Sequence, residues 1–235
     1  MKLKNKVVII TGASDGIGKQ IALRLAKEEV QLILIARNEL KLKELVIQTK
    51  NLGAKNVKEY VCDISKTEEL NEMIKNIKSD FENVDILINV AGIWQKLMPS
   101  EEISQDTVYK VIATNLSALI MITNSFLPIL KKRSEAAIIN IISKSGIVAQ
   151  EKQAVYTASK YGVRGFTEVL KTELKGSTVR IAGVYQSGTN TLMFEKTGDH
   201  PPLEKFTRPE DLADVIGYML SLPEKIWLHD VYVEY

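Results

Sequence analysis

The sequence has a single cysteine, Cys62, so no disulfide can form within the chain. That fits a reducing compartment. Only two histidines occur, His200 and His229, too far apart for ligand spacing, and no metal site is expected. An excess of either charge is also missing: 31 basic against 29 acidic residues leave a formal net charge of +2. So small a balance gives no reason to expect nucleic acid or an anionic membrane as partner. The one basic run, Lys131-Lys132-Arg133, reads as the end of a helix, where cations suit the dipole. No apolar run approaches the ~18 residues that a bilayer span needs. The N-terminal stretch MKLKNKVVIITG enters a strand pattern at once, without a signal-peptide core or cleavage site. Together these absences predict a cytoplasmic protein. Linkers, repeats and low-complexity stretches are missing too, which predicts one domain over residues 1–235.

What is present is an alternation. Short β-branched runs at 6–11, 31–36, 57–63, 84–92, 136–143, 178–185 and the C-terminal IWLHDVYVEY read as strands. Between them lie helix-period stretches: one ending near Lys27, then 38–50, 66–78, a long one at 104–131, then 154–175 and 209–222. Strands joined by helical crossovers run parallel, with helices on both faces. The strand runs are apolar on consecutive residues, as doubly covered strands are. The pattern predicts an α/β doubly wound Rossmann fold with a seven-stranded parallel sheet.

The stretch TGASDGIG (11–18) lies between the first strand and the first helix. Gly12 permits a tight turn, Gly16 a close backbone approach to a pyrophosphate, and Gly18 close packing of helix on sheet. The helix N-terminus then offers free N–H groups to phosphate. The second strand ends in Ala36 and Arg37, 19 residues (37 − 18) after Gly18, with no carboxylate at the position that would bind a ribose 2′-hydroxyl. A guanidinium suits a 2′-phosphate dianion, which points to NADP(H).

The stretch YTASKYG (156–162) places Tyr156 and Lys160 four positions apart in a helical segment, on one face. Alone, such a pair is ordinary helix surface. As a functional pair, the ammonium would favour the phenolate and lower a tyrosine pKa from near 10 by ~1–3 units, towards the range where general acid–base catalysis works.

The combination of TGASDGIG (11–18), NVAG (89–92), Ser143 in NIISKSG and YTASK (156–160) resembles the short-chain dehydrogenase/reductase family over essentially the whole chain. The resemblance implies an oxidoreductase that transfers hydride reversibly between NADPH and a carbonyl or alcohol substrate. Tyr156 would be the general acid/base, Ser143 would hydrogen-bond the substrate oxygen, Lys160 would also hold the nicotinamide ribose, and Asn115 would fix a water linking Lys160 to solvent. It assigns cofactor contacts to Gly12, Ser14, Asp15, Gly16, Ile17 and Gly18 in the turn, to Arg37, to Asp63 and Ile64 after the third strand, to Asn89, Ala91 and Gly92, to Tyr156 and Lys160, and to Thr189 and Thr191. Asp63 alternatively caps the helix that follows it. Two departures stand out: Val90 where the family has a second asparagine, and Gln186-Ser187 where it has Pro-Gly.

The stretch 188–207, GTNTLMFEKTGDHPPLEKFT, is expected to cover a small or medium carbonyl compound. Trp94 and Met98 either line a substrate pocket or fold onto the core, and Cys62 reads as packing. Apolar residues on several sides of the long helix predict burial between copies of the chain, as a homodimer or homotetramer. Two other functions fit the same motifs: reduction of carrier-bound 3-oxoacyl chains, and a catalytically silent NADP(H)-sensing binding protein.

Overall fold

In the computed structural model, which describes residues 1–234, seven strands form one all-parallel sheet in the order β3-β2-β1-β4-β5-β6-β7. The strands are β1 (Val7–Thr11), β2 (Gln31–Ala36), β3 (Asn56–Val61), β4 (Ile86–Asn89), β5 (Ala136–Ile141), β6 (Val179–Gln186) and β7 (Asp230–Val233). The helices are α1 (Gly16–Ala26), α2 (Glu39–Asn51), α3 (Thr67–Asp80), α4 (Gln105–Ile112), α5 (Ala118–Leu130), α6 (Ala154–Glu173) and α7 (Pro209–Ser221).

Alternation along each strand sends side chains to opposite faces. In β1, Val8 and Ile10 join the core beneath α1, α2 and α7, with Ile21, Leu42, Leu212 and Ile216. Val7 and Ile9 join the core beneath α3, α5 and α6, with Leu70, Ile122, Phe126 and Leu170. Ile9, Ile33 and Leu87 lie side by side in register and are fully buried; each such side chain contributes about 1.5–3 kcal/mol by leaving water. The expectation of continuous burial holds for the central strands and fails at the rim. β3, at the sheet edge, buries only Val57 and Tyr60, one in each core, and Lys58 and Glu59 there discourage further strand pairing.

Contrary to the expectation that no apolar run approaches bilayer-spanning length, the helical run from Gln105 to Leu130 is long and apolar enough to cross a membrane by length and composition. Here Ala118, Ile122, Phe126 and Leu130 are buried against the sheet. Between α4 and α5 the chain makes one π turn, Ala113–Ser117, with Asn115 at its centre. Such wide turns interrupt the ordinary ladder and are common at functional sites.

Strand order reverses direction between β1 and β4, so the crossovers from these two strands leave on opposite sides. This opens a crevice at their carboxyl ends, where ligands bind in folds of this kind.

Candidate active site

The crevice is bounded by two turns. After β1, Gly12 and Gly16 have φ of 67° and 48°, a backbone region that favours glycine. A Cβ on Gly12 would lie 2.8 Å from Ala91 Cα, and one on Gly18 would lie 2.3 Å from the Gly12 carbonyl oxygen. After β4, the amides of Val90 and Ala91 donate to Thr11 Oγ1 at 3.0 and 3.1 Å, which locks the two turns together.

Asp15 caps α1 by accepting from Gly16 N at 2.9 Å. Lys41 Nζ at 2.9 Å and Lys196 Nζ at 3.4 Å also reach its carboxylate. Burial raises the pKa of Asp15, but Lys41, Lys196 and the Gly16 amide outweigh it and hold the group below the usual carboxylate range. Arg37 is exposed just past β2 and shares this end of the crevice with Lys41, Lys196 and Asp63. Asp63 Oδ1 accepts from Ser65 N (3.1 Å) and Ser65 Oγ (2.7 Å). Partial burial raises its pKa, while these bonds and the charges of Arg37 and Lys66 bring it below normal. The cap of α3 is Lys66, so Asp63 organises the turn before the helix.

At the other end, Ser143 follows β5 with φ 108° and ψ 153°. That region is nearly closed to side-chain-bearing residues and costs about 1–3 kcal/mol, strain that clusters at active sites. Ser143 Oγ accepts from Ser145 N at 3.2 Å, and Ser143 is near enough to the Tyr156 phenol to lower its pKa. Tyr156 and Lys160 lie one turn apart on α6, each 5% exposed. Lys160 Nζ donates to Ile141 O at 3.1 Å and sits 5.6 Å from the centre of the Tyr156 ring.

The pKa directions oppose the expected tuning. Burial pushes Tyr156 up to about 12, against a smaller lowering by Ser143, and burial brings Lys160 down to about 8. The i, i+4 spacing delivers the ammonium to the ring body, and loss of water dominates both shifts.

Asn115 is 1% exposed and does not line the cavity. Its Oδ1 accepts from Ile93 N at 2.8 Å, and its Nδ2 donates to Ile93 O at 3.0 Å and Ser159 Oγ at 3.2 Å. It thus holds the loop after β4 from behind. A Cβ on Gly92 would lie 3.4 Å from Asn115 Oδ1 and 3.7 Å from Lys160 Nζ, so these three residues converge.

Two contiguous cavities fill the crevice. One, of about 740 Å³, is lined by Gly12, Ser14, Asp15, Gly16, Ile17, Gly18, Arg37, Asp63, Ile64, Ala91, Gly92 and Thr191, all sequence candidates. The other, of about 610 Å³, holds Ser143, Tyr156, Lys160 and Thr189. Ile17, Val90, Gly92, Trp94, Thr191 and Met193 line both.

Every catalytic or cofactor-binding candidate but two therefore faces this space, and of the two pocket candidates Trp94 lines it while Met98 does not. Asn115 lies behind it, and so does Asn89, the buried last residue of β4, which donates to Thr123 Oγ1 (3.0 Å) and Asn140 Oδ1 (2.9 Å). Asn89 supports the turn that its neighbours present and is removed from the cavity-facing set. Among the described residues no cluster of three metal-ligating side chains exists.

A family model described as short chain dehydrogenase matches residues 6–202. The chain belongs to the short-chain dehydrogenase/reductase family. It is 32% identical over 236 residues to an uncharacterized oxidoreductase of Staphylococcus saprophyticus, covering 99% of this chain and 98% of that one. It is 32% identical over 231 residues to the 3-oxoacyl-[acyl-carrier-protein] reductase of Thermotoga maritima, covering 94% and 92%. Among solved structures, the alcohol dehydrogenase of the archaeon Thermococcus sibiricus complexed with 5-hydroxy-NADP superposes with a TM-score of 0.88 at 25% identity, covering 98% and 96%.

As a member of this family the chain is an oxidoreductase, and its crevice fits a dinucleotide. The glycine cradle leaves no room for side chains, and the N-terminus of α1 faces it. At the end of β6, Gln186 Oε1, Ser187 Oγ and Thr189 Oγ1 are buried without a protein partner, polar capacity in the cavity that Ser143, Tyr156 and Lys160 line.

Several site residues have little or no signature in the sequence. Lys41 is on the first turn of α2, while Arg37 precedes the helix, so their four-residue spacing alone does not bring them together. Lys196 and Asp199 reach the site from the 188–207 segment, whose base is pinned by Thr207 N to Gly188 O (3.1 Å) and Asn190 N to Thr207 O (2.9 Å). Asp199 Oδ2 accepts from Trp94 Nε1 at 2.7 Å and Leu97 N at 3.2 Å, tying that segment across the cavity mouth. Trp94 stands edge-on to Tyr156 with ring centres 4.6 Å apart, and Phe194 meets Trp94 at 5.1 Å.

Proposed function

We propose that this protein is an NADP(H)-dependent oxidoreductase that transfers hydride reversibly between NADPH and a small or medium carbonyl or alcohol substrate. The observation that carries the reading is the meeting of Ser143, Tyr156 and Lys160 in a cavity continuous with the glycine cradle. NADPH, when bound, supplies the hydride. Gly12, Gly16 and Gly18 would receive its pyrophosphate at the α1 N-terminus, and Arg37, with Lys41 and Lys196 beside it, would hold the 2′-phosphate. The 5-hydroxy-NADP in the Thermococcus structure supports that choice.

Tyr156 donates a proton to the substrate oxygen as negative charge develops there, and Ser143 orients the same oxygen. With its pKa near 12, Tyr156 is fully protonated at neutral pH, which suits carbonyl reduction. Lys160, near 8, is mostly charged at neutral pH and favours the phenolate left after proton transfer. Trp94, Leu97, Met193 and Phe194 narrow the substrate side, which supports a compact substrate. Tyr109, Val108 and Val169, exposed on α4 and α6, support assembly into a homodimer or homotetramer.

The test is NADPH and NADH oxidation measured in parallel against ketones, aldehydes and diketones, with Tyr156→Phe as control. The reading requires turnover with NADPH preferred and a loss of about 10²–10⁴-fold in the variant. The Thermotoga relative carries a second reading, reduction of carrier-bound 3-oxoacyl chains. Turnover of carrier-linked substrate without turnover of free ketones would select it. NADPH binding with no turnover of either class would select a silent sensor, against which the intact Ser143, Tyr156 and Lys160 set argues.

A further inference from the structure

The first turn of α6 carries Tyr156, yet the cap residue of that helix, Gln153, makes no side-chain capping bond. The amides at a helix start need partners from outside the helix ladder. Here they find one far away in sequence. Gln95, on the loop after β4, is 1% exposed. Its Oε1 accepts from Val155 N at 2.9 Å and from Tyr156 N at 3.1 Å, and its Nε2 donates to Lys152 O at 3.1 Å. One buried carboxamide therefore uses both of its ends on the turn that carries the phenol.

The geometry points to Gln95 as a positioning residue that sets Tyr156 against Ser143. The peptide of Tyr156 is held on both sides. Gln95 takes its N–H, and Ser159 Oγ donates to its carbonyl at 2.6 Å while accepting from Asn115 Nδ2. Asn115 in turn binds both backbone groups of Ile93, two residues before Gln95. The loop 93–95, the π turn and the first turn of α6 form a closed hydrogen-bonded ring. Trp94, within that ring, presses its edge on the Tyr156 ring. Gln95 touches neither cavity, so it acts only through Tyr156.

The inference rests on the reductase reading, and its test separates the two. Gln95→Met keeps length and burial and removes both hydrogen-bonding ends. Gln95→Glu keeps an acceptor for the two amides at a helix start that favours negative charge. The Lys152 carbonyl stays partnered in that variant, because Met98 N also donates to it at 3.2 Å. With NADPH and a ketone that the wild type reduces, Gln95→Met is expected to lose about tenfold to a hundredfold in kcat, the scale of a small misplacement of a reacting group. KM for the ketone and Kd for NADPH stay within about twofold, and Gln95→Glu recovers most of the loss. Amide exchange in a peptide spanning 153–158 should rise in the Met variant and return in the Glu variant.

Unchanged kcat in Gln95→Met, or a loss that Gln95→Glu does not recover, overturns the assignment while the reductase reading stands. If the wild type reduces no carbonyl yet the exchange pattern appears, the clamp is real and the reductase reading fails. Where Gln95→Met does not fold, Gln95→Asn replaces it. One methylene short of the two amides, it must show slow turnover with normal NADPH affinity, and normal turnover overturns the proposal.

Discussion

Removing the ammonium of Lys160 should destroy activity and make the protein more stable at neutral pH. Lys160 is buried and its pKa falls from 10.5 to about 8, so the folded chain holds the proton less tightly than the unfolded chain. Each pKa unit corresponds to about 1.4 kcal/mol, and at pH 7 the charged, desolvated group costs about 3 kcal/mol. Between about pH 8 and 10.5 the unfolded state binds more protons than the folded state, so stability rises with pH and the cost disappears. Lys160→Met removes the cost at every pH but leaves Ile141 O without its donor, which takes back about 1 kcal/mol. The net expectation is a gain of about 2 kcal/mol at pH 7. Relative to wild type, the variant then loses about 2.5 kcal/mol of its advantage by pH 10. Tyr60 and Tyr185, whose pKa values burial raises, titrate in both proteins and cancel in the difference. Urea unfolding of both proteins without cofactor, at pH 7 and pH 10, measures this directly. A difference independent of pH, or a variant less stable at pH 7, refutes the account of Lys160 as a buried charge retained for chemistry.

The same shifts set the pH profile. For reduction, kcat/KM should fall with unit slope above about pH 8 as Lys160 loses its proton, with Tyr156 titrating only near 12; a flat profile to pH 10 contradicts this. Arg37→Gln should weaken NADPH by about tenfold to a hundredfold, as expected for a lost charged hydrogen bond, and leave NADH unchanged, read by fluorescence titration; equal losses for both remove the role given to the guanidinium. Gly18→Ala should lower stability by about 1–3 kcal/mol because its methyl would sit 2.3 Å from Gly12 O. Gly165→Ala, with nothing within 4 Å on α6, should raise stability by about 0.8–1 kcal/mol, and thermal melts compare the two.

Much of the fold was legible because its signals are local. Alternating strand and helix periods, with glycines after the first strand, are properties of neighbouring residues, and they predicted seven parallel strands. The order β3-β2-β1-β4 came only with the structure, since nothing within a strand names its neighbour. The Tyr156–Lys160 pair was legible from helix spacing, whereas the directions of their pKa shifts were not. Spacing reports proximity, and burial, which dominates both shifts, depends on what packs over them. Asn89 and Asn115 stand at motif positions, but that both sit behind the cavity and bond to neighbouring backbone and side chains came only from the packing.

The sequence by itself determined the alternation of strands and helices, the glycine cradle and the placing of Tyr156 and Lys160 on one helix face, because periodicity, glycine and helix spacing act within a few residues along the chain. Only the tertiary structure decided that Gln95 caps α6 from 61 positions away. It also decided that Lys41 and Lys196 converge on Asp15 and that Ser143 sits at a strained backbone angle. These depend on which distant segments share a desolvated space, where a hydrogen bond or a charge counts for far more than it does in water.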